Sequence, residues 1–306
     1  MTKLKISTPT ISVVVCTRNR GRALTKALEC LERVRFERSR CELVVVNNGS
    51  TDDTAAVLES AQAMSSWNMT IVHEQRPGLG LARNAGVAAA TGEIVAFTDD
   101  DCYVAEDYLD RLADAFEDSA IGYIGGRIVL HDPTDAPITI KPETEGSRIP
   151  PQTFFIPGVM HGANLAARRS LILSVGGFDP LFGPGQPFIC DDIDFLVRAS
   201  LSGSAGAYVP EVVVAHHHGR KPGPAVDGLG RVYAHGRGAY YAKFLLNPTS
   251  RRRCAQSWYW SSLVKIRKGN LVPIVQELRG AIHYVLRQRT LRARSLRQTL
   301  PAESVS

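Results

Sequence analysis

Short apolar stretches rich in β-branched residues alternate along the first half of the chain with stretches whose apolar residues recur every three to four positions. The first kind predicts strands and the second predicts helices. The predicted strands cover residues 11–16, 43–46, 70–73, 93–97 and 121–130, and the predicted helices cover residues 22–34, 51–64, 80–90 and 105–117. Strict alternation of strand and helix is typical of βαβ units, so we expect an α/β fold with a parallel sheet covered on both faces.

The second half of the chain has fewer clear elements. Residues 131–157 are rich in proline and predict a long irregular loop. A short helix is predicted directly after Gly162-Ala163-Asn164-Leu165, another helix begins at Asp191, and a strand covers residues 208–215. From residue 226 the sequence is helical in pattern and basic, so we predict one domain of residues 1–225 and a helical extension of residues 226–306.

Polar clusters follow three of the predicted strands where each strand ends. They begin at Thr17 after the first strand, at Asn47 after the second and at Asp99 after the fourth. In open α/β sheets the ligand crevice lies beyond the carboxyl ends of the strands, so the three clusters should converge there. The second cluster is also a good helix start, because asparagine, serine, threonine and aspartate all cap helices.

Three consecutive carboxylates, Asp99-Asp100-Asp101, stand at the end of the fourth strand. Adjacent negative charges repel one another unless a cation or a ligand with many hydrogen-bond donors balances them. Hard divalent cations prefer oxygen ligands. The triplet therefore predicts a site for Mg²⁺ or Mn²⁺ and the phosphates it carries. The alternative is a solvated turn that caps the following helix.

Six motifs in order carry a resemblance to a known family. They are Val14-Val15-Cys16-Thr17-Arg18-Asn19-Arg20, Val45-Val46-Asn47-Asn48-Gly49-Ser50-Thr51-Asp52-Asp53-Thr54, Gly80-Leu81-Ala82-Arg83-Asn84-Ala85-Gly86, Thr98-Asp99-Asp100-Asp101, Gly176-Gly177-Phe178-Asp179 and Asp191-Asp192-Ile193-Asp194. Together they resemble a family two glycosyltransferase, over about residues 11–220. The resemblance implies the Rossmann-like nucleotide-diphospho-sugar transferase fold, of the glycosyltransferase A type, with the helical C-terminal extension as an appendage.

The resemblance also implies an activity for residues 1–225. A sugar passes from a nucleotide-sugar donor to the hydroxyl of a saccharide or lipid-linked acceptor, with inversion at the anomeric carbon and with Mg²⁺ or Mn²⁺ as cofactor. Cell-surface polysaccharide or glycolipid synthesis is the setting that this family suggests. The rival interpretations are a sugar-phosphate nucleotidyltransferase, and a basic protein that binds membrane or nucleic acid without catalysis.

Site residues follow from the same resemblance. Asp101 and Asp99 are expected to bind the metal, with Asp99 also reaching the ribose or sugar, and His216 is expected to add a further metal ligand. At the predicted helix start, Asp192 is expected to act as the catalytic base and Asp191 as a ligand of the acceptor hydroxyl. The expected nucleotide contacts are Thr17, Arg20, Asn47 and Arg83.

Two of these assignments have alternatives in which the residues only stabilise the fold. Asp191 and Asp192 would also stabilise a helix start through the helix dipole, and a histidine at a strand end is often purely structural. The family usually has an aspartate where this chain has Asn47. An amide both donates and accepts hydrogen bonds, so the identity of the nucleotide base stays open.

Composition adds a prediction about location. The formal net charge is +6, and the excess lies in the C-terminal extension, which is also rich in apolar and aromatic residues. Such a segment either packs on the catalytic domain or contacts an anionic membrane surface. Its aromatic residues do not alternate with the arginines as a base-stacking surface would require, so the extension does not suggest nucleic-acid binding. With six unpatterned cysteines and no long apolar segment, we expect a cytoplasmic protein that touches the inner face of the plasma membrane.

Overall fold

The structure, a computed structural model, describes residues 11–299, and it describes side chains for residues 11–291. Arg292, Arg294 and Arg297 of the predicted basic extension lie outside the described side chains. The described residues divide into two compact units. The first contains the chain up to Pro187 together with Asp191–Val226, and the second contains Phe188–Cys190 together with the chain from Asp227 onwards.

The first unit is built around one sheet flanked by helices. Its strands are β1 (Ile11–Thr17), β2 (Cys41–Asn47), β3 (Asn68–His73), β4 (Ile94–Asp99), β5 (Cys102–Val104), β6 (Ile121–Leu130), β7 (Ser147–Ile149), β8 (Asn164–Arg168) and β9 (Ala205–His216). Its helices are α1 (Gly21–Glu32), α2 (Thr54–Met64), α3 (Leu79–Ala89), α4 (Tyr108–Ala115), α5 (Arg169–Ser174) and α6 (Asp191–Leu201). The order of strands is β3-β2-β1-β4-β8-β6-β9-β5, with β7 paired to β9.

The predicted α/β fold is confirmed, and the sheet is mixed rather than parallel throughout. β3, β2, β1 and β4 are mutually parallel, whereas β8 runs antiparallel to both β4 and β6. The segment Asn164–Arg168 has no β-branched residue and so carries no strand signal of its own, and the structure places it between two strands where nearly every side chain is buried. The predicted loop 131–157 also contains a short strand, β7.

Burial explains why the central strands are continuous apolar runs in the sequence. Every residue of β2 is buried, as expected for a parallel strand covered on both faces. α1 covers one face with Leu24, Ala27, Leu28 and Leu31, which recur at helical spacing and are all buried. Full burial of a leucine side chain contributes about 2 kcal/mol to stability, so this face fixes α1 on the sheet.

The second unit is helical within the described residues. It contains most of α7 (Pro224–Leu246), together with α8 (Arg251–Arg267) and α9 (Val272–Thr299). Glu277 of α9 is fully buried and accepts hydrogen bonds from Arg237 Nε at 2.9 Å, Lys265 Nζ at 2.6 Å and Trp258 Nε1 at 3.0 Å. A buried carboxylate needs such partners, and these three come from α7 and α8, so the contacts join the three helices.

Candidate active site

Three strands end side by side at one edge of the sheet. β1 lies between β2 and β4, with Thr17 paired in register to Asn47 and Cys16 paired to Asp99. Thr17 and Asn47 are buried, while the Asp99 side chain is 33% exposed. The structure therefore brings the three predicted polar clusters together, and Asp99 is the acid of the triplet that solvent reaches most easily.

Asp100 points into the protein. Thr17 Oγ1 donates to its Oδ2 at 2.7 Å, and Arg20 Nε lies 3.1 Å from its Oδ1. Burial raises the pKa of Asp100 to about 7, while the charge of Arg20 and the hydrogen bond from Thr17 oppose that rise. Thr17 and Arg20, predicted as nucleotide contacts, thus hold the acid triplet in the structure.

Asp101 faces His216 across the end of β9. His216 Nε2 lies 3.3 Å from Asp101 Oδ1, and Arg20 Nη2 donates to Asp101 Oδ2 at 2.6 Å. Burial alone would raise the pKa of Asp101, but the hydrogen bond from His216 and the charge of Arg20 bring it below the ordinary value. Asp101 is therefore an ionised carboxylate held in a fixed position.

Strand pairing explains how residues so far apart in sequence meet. β5 pairs antiparallel with β9, which sets Cys102 opposite His216, and the backbone N–H of His217 donates to the carbonyl of Asp101 at 2.8 Å. The other two histidines of the triplet serve elsewhere. His217 Nδ1 contacts the Tyr103 hydroxyl at 3.1 Å, and His218 Nε2 contacts the carbonyl of Ala136 at 2.9 Å.

Arg83 of α3 links the acid triplet to the start of α6. Its buried guanidinium forms an ion pair with Asp191, and its Nη2 lies 3.6 Å from Asp99 Oδ1. Burial raises the pKa of Asp191 to about 6, although the charge of Arg83 opposes the rise. Arg83 was predicted as a nucleotide contact. In the structure it contacts one acid of the triplet, Asp99, and one acid at the start of α6, Asp191.

The two acids at the start of α6 differ in their surroundings. Asp191 is buried against Arg83, whereas Asp192 is only half-buried. The two oxygens of Asp192 accept backbone hydrogen bonds from Gly162 at 2.9 Å and Ile193 at 2.7 Å. Asp192 is thus an oriented carboxylate that keeps access to solvent, in contrast to its neighbour.

Among the described residues, two groups of side chains have the spacing of a cation site. The first is Asp101, Cys102 and His216, and burial raises the pKa of Cys102 well above its ordinary value, so its protonated thiol is a poor ligand. The second is Asp132, Asp135 and His217, where Lys221 Nζ lies 2.7 Å from oxygens of both acids. Its ammonium already pairs with both acids of the second group, which leaves Asp101 and His216 as the better cation ligands.

The sequence model described as "Glycosyl transferase family 2" matches residues 12–175, more than half of the chain. The chain belongs to glycosyl transferase family 2. It is therefore a glycosyltransferase, and the resemblance seen in the motifs is confirmed. The rival classes, a sugar-phosphate nucleotidyltransferase and a non-catalytic binding protein, are set aside by this membership.

Curated relatives agree with the family. Glycosyltransferase AglE of Haloferax volcanii is 22% identical over 68% of this chain and 67% of its own length. The glucosyl-dolichyl phosphate glucuronosyltransferase of the same organism is 25% identical over 55% of this chain and 56% of its own length. The chain spans about a third to two thirds of the length of the curated relatives it matches.

A solved structure supports the fold. The mannosyltransferase of Pyrobaculum calidifontis, solved with GDP-Man and Mn²⁺, is 18% identical and superposes with a TM-score of 0.64 over 91% of this chain and 87% of that chain. At this identity the likeness concerns the fold alone. The predicted glycosyltransferase A-type fold is confirmed.

Two residues of this glycosyltransferase site were missed from the sequence. Asn48 is buried and holds the segment before α3 in place. Its side-chain NH₂ donates to the carbonyls of Glu74 at 3.0 Å and Arg76 at 2.8 Å. Its side-chain oxygen accepts from the N–H of Gly78 at 2.9 Å. Thr139 contacts His216 from the loop after β6. Asn48 stands in a polar cluster that the strand pattern already singles out, whereas nothing in the sequence around Thr139 signals its contact.

Proposed function

We propose that this family 2 enzyme is an inverting, metal-dependent glycosyltransferase that moves a sugar from a nucleotide-sugar donor to an acceptor hydroxyl. The observation that carries the proposal is the meeting of Asp101 and His216 at 3.3 Å on the sheet edge where Asp99 also ends its strand. Arg83 connects this edge to the acids of α6. One connected set of side chains thus offers ligands for a cation and a carboxylate for proton transfer.

The donor atoms of the site fit a divalent cation. Asp101 and His216 would bind Mg²⁺ or Mn²⁺ through a carboxylate oxygen and an imidazole nitrogen, with Asp99 as an additional carboxylate ligand. When bound, the cation stabilises the negative charge that develops on the leaving nucleoside diphosphate. The Mn²⁺ present with GDP-Man in the mannosyltransferase of Pyrobaculum calidifontis supports this assignment.

Asp192 is our choice for the catalytic base. In the reaction the acceptor oxygen forms a bond to the anomeric carbon, the bond from that carbon to the diphosphate oxygen breaks, and the acceptor proton passes to Asp192. Its half-buried position and its two backbone hydrogen bonds favour it over Asp191, whose carboxylate is paired with Arg83. The acceptor-ligand role predicted for Asp191 requires that Arg83 release it on binding.

Nucleotide recognition is proposed for Thr17, Arg20, Asn47 and Arg83, with Asn47 as the residue that reads the base. The backbone N–H of Ser50 donates to Asn47 Oδ1 at 3.0 Å, which fixes the side-chain amide. Only an acceptor can face that N–H, so the orientation of the amide is fixed: its NH₂ can donate to a ligand, and the second lone pair of Oδ1 can still accept. This orientation suits a base edge that presents an acceptor.

Replacing Asp192 tests the proposal. Asp192→Asn should lower transfer roughly a hundred- to ten-thousandfold, the usual loss of a general base, while donor binding is retained. Asp110→Asn changes an exposed acid in the first turn of α4 and is the matched control, which should keep full turnover. Transfer from a panel of nucleotide sugars, with the product anomer assigned by NMR, supplies the measurement. Full turnover in Asp192→Asn, or retention of configuration, would contradict the proposal.

We further propose that the second unit contacts an anionic membrane surface at the inner face of the plasma membrane, where a saccharide or lipid-linked acceptor for cell-surface polysaccharide or glycolipid synthesis would be presented. From Asp227 onwards the chain has fifteen lysines and arginines against three acids, and one of those acids, Glu277, is buried. The name of the glucuronosyltransferase relative, which includes glucosyl-dolichyl phosphate, supports a lipid-linked acceptor.

An apolar stripe on α9 supplies the contact surface. Val275, Leu278, Ile282 and Leu286 recur at helical spacing and are 46% to 61% exposed. An apolar cavity of about 340 Å³ lies beside them, lined by α7, Trp258 and α9 with Arg289 among its residues. Exposed apolar residues with basic neighbours favour binding in the membrane interface. Within the described residues, no helix is long and apolar enough to cross a membrane.

Vesicle sedimentation tests the membrane contact. The full chain should bind vesicles that contain phosphatidylserine and should release them as salt is raised, since each basic residue near an anionic surface adds about 1 kcal/mol. Ile282→Glu should weaken binding strongly, whereas Leu173→Glu, at an exposed leucine of α5 in the first unit, should not. Equal vesicle binding by both variants, or no vesicle binding by the unaltered protein at low salt, would contradict the proposed membrane contact.

A further inference from the structure

We infer that Thr139 is a positioning residue, which holds the His216 imidazole in the tautomer that presents Nε2 as a metal ligand. The inference rests on the proposed metal role of His216. Thr139 lies in the loop that follows β6, outside every motif of the sequence, and its side chain reaches the ring nitrogen of His216 that faces away from Asp101.

Two distances decide which way the Thr139 hydroxyl points. Its Oγ1 lies 2.6 Å from the carbonyl oxygen of Ile138 and 3.3 Å from His216 Nδ1. A hydroxyl has one proton, and the shorter contact is to a group that can only accept, so the proton goes to the Ile138 carbonyl. Towards His216 the hydroxyl can then only accept, so His216 Nδ1 must carry a proton.

The consequence appears on the other side of the ring. With Nδ1–H held by Thr139, the proton that His216 Nε2 donates to Asp101 Oδ1 at 3.3 Å is the one that a cation can replace, and its loss leaves Nε2 with a free lone pair. Two acceptors that face each other at this distance are stable only with a cation or a proton between them. The Thr139 contact therefore prepares the pair of side chains that we propose as metal ligands.

The backbone at Thr139 indicates that this contact is maintained against strain. Its φ is 53°, a region that a β-branched residue rarely adopts. Both sides of the segment are anchored, because the N–H of Ala136 donates to the carbonyl of Arg220 at 2.7 Å and Lys141 exchanges backbone hydrogen bonds with Ile128 of β6. Such conformations persist where surrounding contacts enforce them, often at functional sites.

Metal binding tests the inference. Mn²⁺ affinity, measured by electron paramagnetic resonance in the presence of inorganic pyrophosphate, should fall about 10- to 100-fold in Thr139→Val, as is usual for loss of a group that orients a ligand. Thr139→Ser keeps the hydroxyl and should stay near the unaltered affinity. Thr139→Gly removes the hydroxyl but fits the positive φ, so it should bind Mn²⁺ as weakly as Thr139→Val even if the valine variant fails to fold.

The imidazole itself provides a second readout. With Mg²⁺ bound, the Nδ1–H proton of His216 should exchange slowly with water in the unaltered protein, because Thr139 accepts its hydrogen bond, and faster in Thr139→Val and Thr139→Gly, as measured by NMR. A purely structural role for Thr139 would leave this exchange rate unchanged.

His216→Ala distinguishes an error in the metal role of His216 from an error in the positioning role of Thr139. If this variant binds Mn²⁺ as the unaltered protein does, the proposed metal role of His216 is wrong. If it loses Mn²⁺ while both Thr139→Val and Thr139→Gly keep full affinity and the same Nδ1–H exchange rate, the metal role stands and the inference about Thr139 is overturned.

Discussion

Arg83 organises the charges of the site. Its side chain is almost fully buried between two carboxylates and also lies near aromatic rings, 5.8 Å from the Phe97 ring centre and 5.3 Å from that of Phe178. A buried cation with such partners is fixed in place, and removing it would leave Asp191 as an uncompensated buried charge. The position of Gly162 agrees, because a side chain there would overlap the guanidinium.

The consecutive acids of the triplet take different directions and so have different tasks. Asp99 is partly exposed, Asp100 binds Thr17 and Arg20 inside the protein, and Asp101 faces His216. Spacing in the sequence identifies the triplet and the two outer acids as candidate ligands. The inward turn of Asp100 depends on β4 ending at Asp99 and on contacts with the end of β1 and the turn before α1, which spacing does not encode.

Whether the position of a site residue could be predicted from sequence depends on the kind of contact that the residue makes. Asp99, Asp101 and Asp192 stand at strand or helix ends, where sequence pattern alone indicates position. Thr139 and Asn48 act through hydrogen bonds to groups distant in sequence, which only the folded chain defines. The roles proposed for all of these residues stay predictions until the variants are measured.

Among helices and strands, an aromatic stack sets the place of α6. Phe97 of β4 meets Phe178 edge to face at 5.1 Å, and Phe178 stacks on Phe195 of α6 at 5.0 Å. All three rings are buried. Aromatic pairs of this kind add about 0.5–1.5 kcal/mol beyond burial, so the start of α6 is held beside the end of β4. The sequence predicted α6 and β4, but not the stack between them.

The contact between α7 and α9 depends on glycine. A side chain at Gly238 of α7 would overlap the carbonyl oxygen of Glu277, and one at Gly280 of α9 would overlap that of His235. Gly238→Ala should therefore lower the free energy of unfolding of the second unit by about 1–3 kcal/mol, the usual cost of overpacking. This free energy is measured by denaturant unfolding that is monitored through hydrogen exchange of the α7 and α9 amides.

Gly230 supplies the matched control on the same helix. A Cβ there meets nothing within 4 Å, so Gly230→Ala should gain about 0.5–1 kcal/mol from helix propensity. Opposite signs for the two substitutions are expected. If both stabilise the helix alike, α7 and α9 are not in the close contact described.

Across the whole chain, charge is divided unevenly. The residues from Asp227 onwards contain most of the basic excess, which leaves an excess of acids in the preceding part although the chain as a whole has a net charge of +6. The amino-acid composition alone is enough to show this division. The exposed stripe of α9 could not be separated by sequence from a buried face, because both have the same helical spacing.

The family match ends before part of the proposed machinery. It covers residues 12–175, whereas Asp191, Asp192 and His216 lie beyond it. Their assignment therefore depends on geometry: β5 and β9 bring His216 to Asp101, and Arg83 connects Asp191 to Asp99. We propose that this geometry makes a metal-dependent nucleotide site.

Calorimetric titration of nucleoside diphosphate tests that claim most directly. GDP and UDP are titrated, each with Mn²⁺ and with a chelator, into the unaltered protein, Asp101→Asn and the control Asp110→Asn. We predict that at least one nucleotide binds more tightly with Mn²⁺, that Asp101→Asn loses this difference because a charged oxygen ligand is removed, and that the control keeps it. Nucleotide binding that ignores Mn²⁺ in the unaltered protein, or an Asp101→Asn variant with the full Mn²⁺ effect, would contradict the account.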